Sequence, residues 1–195
     1  MKGSLVAVVA LAVVLLVGLL GFGSYVSTKN HLVELNQDVE QATSVVDVAQ
    51  QRRLDLIPNL VASVKGYVKE EETVLTNIAN ARAAVIAAQG NQASTITANR
   101  NLDLALSPLM RLQETYPNLK GNEQFVRLED ELAGTENRIA VARNRYNLAL
   151  RSYNVYTEQF PNSIWAGIAG YHAKEDQYYK GNPANATAPT VDFSK

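Results

Sequence analysis

From His31 to Phe160 the chain repeats apolar positions in alternating steps of three and four. One stripe runs Leu32, Leu35, Val39, Ala42, Val46, Ala49, Arg53, Leu56; a second runs Leu60, Val64, Tyr67, Glu71, Val74, Ile78, Ala81, Val85. The longest runs Phe125, Leu128, Leu132, Thr135, Ile139, Ala142, Tyr146, Ala149, Tyr153, Tyr156, Phe160. Such steps keep one helix face turned to a partner, as in bundles and coiled coils. Alternation of period two, the mark of a half-buried strand, is missing between residues 30 and 160. The pattern predicts an all-α fold with helices near 29–56, 59–89, 95–115 and 122–160. Short connections make consecutive helices antiparallel neighbours, so the expectation is an antiparallel four-helix bundle with long, coiled-coil-like helices.

Breakers supply the boundaries. Pro58 has no N–H and biases Ile57 away from helical ψ, so the predicted helix turn falls there. "QGNQAS" (Gln89–Ser94) ends the second helix, with Ser94 a candidate N-cap for the third. Ser107-Pro108 is an internal restart or kink, "YPNLKGN" (Tyr116–Asn122) closes the third helix, and Pro161 closes the fourth. "GNPANATAPTVDFSK" (residues 181–195) has the composition of a flexible tail.

The amino-terminal pattern differs in kind. Leu5 to Phe22 carries no polar side chain, and no charge interrupts Gly3 to Thr28. About 20 apolar residues cross a bilayer core, whereas a cleavable signal has an apolar run of about 7–15. Residues 1–28 therefore read as a transmembrane anchor and 29–180 as the helical domain. Nothing breaks the path from Val26 to Leu56, so anchor and first helix are compatible with one continuous rod. Lys2 and the amino terminus flank the anchor on one side and Lys29 on the other, and flanking charge alone favours an exported domain.

Composition narrows the function. With 18 basic and 19 acidic residues, net charge offers no case for nucleic-acid binding. The absence of cysteine excludes disulfides, thiolate metal ligands, Cys nucleophiles and Cys-linked lipids. The two histidines, His31 and His172, lie far apart outside any metal-spaced motif, and no phosphate loop, dinucleotide fingerprint or nucleophile elbow occurs. No catalytic residue, cofactor or metal ligand is assigned. Gly18, Gly21 and Gly23 in the anchor do not form a GxxxG dimerisation motif.

Three segments, "VDVAQQRR" (Val46–Arg53), "RRLDLIPNLVASVKGYVKEE" (Arg52–Glu71) and "YPNLKGNEQFVRLEDELAGTENRIAVARNRYNLALRSYNVYTEQFPNSIWA" (Tyr116–Ala166), together with the anchor, resemble the LemA family. The resemblance covers most of residues 5–170. It implies a membrane-anchored antiparallel helical bundle with no known reaction, a cytoplasmic placement of the domain, and a possible TPM-domain membrane protein as partner. Where the family often has His-Glu, this chain has Glu70-Glu71.

Two charges interrupt the stripes. Arg53 and Glu71 read as an interhelical polar seam that sets register, since a charge on a core face is costly unless paired. Depth counted from Pro58 places Arg53 beside Glu129 and Asp130, and Glu71 beside Asn137 and Arg138, with Thr135 on the same seam. Beyond Pro161, Trp165, Ile168 and Tyr171 read as membrane-interface residues, near the level of Val26 to Lys29. The expected function is a non-enzymatic, single-pass membrane scaffold or interaction protein, self-associating or membrane-organising. The rival is a membrane-tethered ligand sensor or enzyme built on Arg53 and Glu71.

Overall fold

The computed structural model describes residues 2–66 and 71–180, and no strand occurs among them. The helices are α1 (Lys2–Lys65), α2 (Glu72–Ala87), α3 (Gln92–Thr115), α4 (Glu123–Glu158) and α5 (Asn162–Ala169), with short 3-10 turns at Pro117–Gly121 and Glu175–Gln177. The chain divides into two compact units. The first is Met1–Arg52 with Thr135–Glu175, and the second is Arg53–Gly134 with Asp176–Lys195. The tail expected at 181–195 lies outside the described residues.

Anchor and first helix are indeed one rod: α1 is a single helix of 64 residues, about 96 Å at 1.5 Å per residue. The predicted turn at Pro58 is corrected. Pro58 lies inside α1, and the helix ends at Lys65. The penalty of an internal proline has two parts, ring clash and a carbonyl at i−4 left without its donor. Here that carbonyl belongs to Leu54, and Nε of Arg82 on α2 donates to it at 2.9 Å. The proline ring itself faces solvent. Pro108 lies inside α3 in the same way, but its i−4 residue, Leu104, is exposed, so water can serve its carbonyl.

The second unit holds the four-helix core. Leu54, Ile57, Leu60 and Val64 of α1 meet Ile78 and Val85 of α2, Leu102, Leu106 and Leu109 of α3, and Phe125 and Leu132 of α4. Leu60 and Val64, assigned to the second helix by the sequence pattern, belong to α1, and α2 is correspondingly short. Gly90, with φ of 92°, follows α2 in the left-handed region that glycine adopts without strain. Asn91 then caps α3, its Oδ1 accepting from Ser94 N at 2.9 Å. The cap is thus three residues upstream of the expected Ser94. Asn122 caps α4, Oδ1 accepting from Gln124 N and Phe125 N at 3.1 and 3.2 Å. Its Nδ2 donates to Ser63 O, which brings the end of α1 to the start of α4.

The first unit pairs the earlier part of α1 with the later part of α4. His31 meets Tyr156 edge-to-face with ring centroids 4.5 Å apart, and Thr28 meets Asn162, so the two helices run antiparallel. Leu32, Val39 and Val46 of α1 and Ile139, Ala142, Tyr146, Leu150 and Tyr153 of α4 are all buried. The α4 stripe follows the sequence pattern to Tyr146 and then begins to slip by one position: Leu150 and Thr157 are buried where Ala149 and Tyr156 were expected, Tyr153 stays buried, and Phe160 is exposed. A straight helix has 3.6 residues per turn and drifts about 20° per heptad from a 3.5 repeat, so a long strict stripe leaves the interface.

Candidate functional site

The five residues expected to form one polar seam divide between the two units. Arg53 and Glu71 belong to the second, Thr135, Asn137 and Arg138 to the first. Arg53 is buried on α1 and forms an ion pair with Asp103 on α3, Nη2 to Oδ1 at 2.5 Å; the expected match was with α4. Glu71 immediately precedes α2, where its backbone carbonyl accepts from Val74 N and Leu75 N at 3.0 and 3.2 Å. The reason is the misplaced turn: α2 begins at Glu72, so Glu71 lies at the helix start and not thirteen residues deep. Thr135 is fully buried, as its stripe position requires, whereas Asn137 and Arg138 are exposed. Asn99, buried beside this part of α3, donates Nδ2 to Thr95 O one turn back. Among the described residues no three His, Asp or Glu side chains gather into a group that could hold a cation.

A more organised arrangement lies at the lower end of the first unit. After α4 the chain passes Phe160-Pro161, a cis peptide bond, and enters α5. Trp165 lies edge-on to Tyr25 of α1, ring centroids 6.0 Å apart, and its Cη2 is 3.8 Å from where a Cβ on Gly21 would stand. The absence of a side chain at Gly21 leaves room for the indole. Trp165 is half-buried, while Phe160, Ile164 and Ile168 are 78, 52 and 65% exposed. Trp165 thus sits about one helical turn further into the apolar stretch than the expected level of Val26 to Lys29.

A left-handed Gly170, φ 78°, ends α5, and Tyr171 N reaches back to Ala166 O at 2.9 Å. This is the bond pattern of a Schellman cap. The chain then reverses and is latched. Tyr153 OH donates to His172 O at 3.1 Å, Lys174 N donates to Asn154 Oδ1 at 2.9 Å, and Lys174 Nζ donates to Asn36 Oδ1 at 2.9 Å. The same ammonium lies 4.9 Å from the centre of the Tyr153 ring, a cation–π distance. Burial pushes the Tyr153 phenol above its usual range, which keeps it a neutral donor. Higher on α1, partial withdrawal of solvent raises the Asp47 carboxyl above the ordinary aspartate value, although the residue keeps an exposed face. His31, expected to be solvated, is exposed and bonds Glu34 at 3.1 Å.

The Lys174 latch and the Arg82 bond were not foreseen from the sequence. Arg82 carried a signal: it is the lone charge in "TNIANARAAVIAA", Thr76–Ala88, where a polar head must find a partner or reach solvent. Lys174 carried none, because its partners are set by how the chain folds back after Gly170.

The apolar part of α1 is long enough to cross a bilayer, with mean hydropathy of 2.8 in its most apolar window and none of that window buried. Curated relatives include protein LemA of Metamycoplasma hominis, 26% identical over 141 residues, covering 72% of this chain and 61% of the relative. They also include magnetosome protein MamQ 2 of Paramagnetospirillum magneticum and magnetosome protein MamQ of Magnetospirillum gryphiswaldense, each 24% identical over 183 residues, covering 81% of this chain and 66% of the relative. The chain therefore spans somewhat less than two thirds of the length of these relatives. The family model of the LemA family matches residues 42–193, most of the helical domain built above, and the chain belongs to that family.

Proposed function

We propose that this protein is a single-pass membrane-anchored scaffold, whose helical domain holds other chains at a bilayer surface and performs no catalysis. The observation that carries the reading is the continuity of α1. One helix provides both the fully exposed apolar segment and core residues of both units, down to Val64. A helix that supplies both the apolar segment and packed core residues ties the helical domain to the bilayer, which suits a spacer or assembly element. The relatives named as magnetosome proteins, after a cellular body and not after a reaction, support the same reading. Self-association, or pairing with a second membrane protein of the TPM-domain type, is the expected mode.

The test is residue-specific cross-linking in native membranes. The chain has no cysteine, so single cysteines at exposed positions such as Val48, Val141 and Leu148 report contacts without background. A scaffold yields a defined ladder of homo-oligomers or one recurrent membrane partner from adjacent positions. A monomer at every position, with no recurrent product, would overturn the proposal.

A further inference from the structure

We propose that α5 is a second membrane contact, a short helix seated in the interfacial layer of the same bilayer that α1 crosses. The inference rests on the reading of α1 as a membrane-spanning helix and adds a site to it. No charged side chain occurs between Glu158 and His172, so the whole dip from Gln159 to Tyr171 can meet headgroups and upper acyl chains without burying a charge. Its depth is set by contacts on α1. Asn162 is beside Thr28, and Trp165 is beside Tyr25 and over Gly21, all within the uncharged stretch that ends before Lys29.

The occupant of the outward face follows from continuity. Leu19, Leu20 and Phe22 of α1 are exposed at 73, 67 and 68%, and if α1 spans, lipid is what surrounds them. Ile164 and Ile168, spaced by four and so on one face of α5, stand exposed at 52 and 65% beside that segment, with Phe160 just before them at 78%. A helix of 8 residues, about 12 Å long, is too short to cross, so it lies at the boundary, where Trp and Tyr place an apolar body and a polar tip. The Lys174 latch to Asn36, Asn154 and Tyr153 prevents the dip from sinking further or swinging away. Two attachments about the same rod restrain its tilt, which a single helix crossing does not.

The full chain has one tryptophan and no cysteine, which makes the test direct. It is reconstituted into phosphatidylcholine vesicles and flotation is checked first. Trp165 fluorescence is then measured with lipids brominated near the headgroup or deep in the acyl chain. Spin labels on Ile164→Cys and Ile168→Cys are compared with one on Val155→Cys, an exposed position of α4. The expected result is stronger quenching by the shallow bromines, labels at 164 and 168 that are accessible to oxygen and protected from an aqueous nickel chelate, and the reverse at 155. Flotation with labels at 164 and 168 open to the chelate would overturn the inference and leave the anchor standing. Dipolar coupling between labels on two copies, with protection from lipid quenchers, would overturn it in favour of self-association. Failure to float would overturn both.

Discussion

Pro58 survives inside α1 because Arg82 replaces the donor that proline lacks, and this makes a quantitative prediction for a double-mutant cycle. In the native chain, Arg82→Met keeps the aliphatic stem and removes the bond to Leu54 O, which measures 2.9 Å. Leu54 is 2% exposed, so its carbonyl has little access to water. A hydrogen bond from a charged group contributes about 1.5–3 kcal/mol, and stranding a buried acceptor costs about 1–3 kcal/mol. The single substitution should therefore cost about 2 kcal/mol. For a chain of this size that is a fall of roughly 4–8 °C in the melting temperature. In a Pro58→Ala background the alanine N–H bonds the same carbonyl as part of the ordinary i to i−4 ladder, and Arg82→Met should cost less than about 1 kcal/mol. The difference, a coupling of about 1–2 kcal/mol, is far from the near-additivity of independent sites. Denaturant unfolding of the four full-length variants in the same detergent, followed by circular dichroism, gives all four corners of the cycle. Equal costs of Arg82→Met in the two backgrounds would refute the reasoning, because the arginine would then be stabilising something other than the proline gap.

Other substitutions test the remaining contacts. Arg53→Met should destabilise by about 1–3 kcal/mol, less than a fully buried pair because Asp103 is 34% exposed. Adding Asp103→Leu should recover part of the loss in the same unfolding assay, since an apolar pair of similar volume avoids the uncompensated charge. Lys174→Met should leave α1 and α4 intact but raise amide exchange in residues 171–180, because it removes the Asn36 bond and the Tyr153 contact. Gly21→Ala should be tolerated, as the added carbon would stand 3.8 Å from Trp165, whereas Gly21→Leu should displace the indole and shift its emission. Asp47→Asn should stabilise at neutral pH. The folded carboxyl titrates above its reference value of 3.8, so in that window the folded state holds more protons than the unfolded one and stability falls as pH rises. The gain from Asp47→Asn should therefore vanish on acidification below that reference value.

How far the sequence could be read depended on which forces act locally. The anchor and the faces of the long helices were legible because burial is periodic along each helix: Leu32, Val39 and Val46 on α1 and Phe125, Leu132, Thr135, Ile139, Ala142 and Tyr146 on α4 are all buried where the stripes put them. The cost of a chain break is not local in that sense. Proline removes one donor wherever it stands, but whether the helix stops depends on a residue 24 positions along the chain, Arg82, reaching its gap. Register follows from the position of the turn: counted from Pro58, Glu71 falls thirteen residues deep, whereas it stands at the start of α2. A stripe of apolar residues shows which face is covered, but not where a break interrupts it, because Leu60 and Val64 keep the same spacing whether they begin one helix or end another. The same limit explains α5. "NSIWAGIA" announces an apolar helix, but its level beside Gly21 and Tyr25 follows from where α4 ends relative to α1, which is a property of two packed helices and not of either segment.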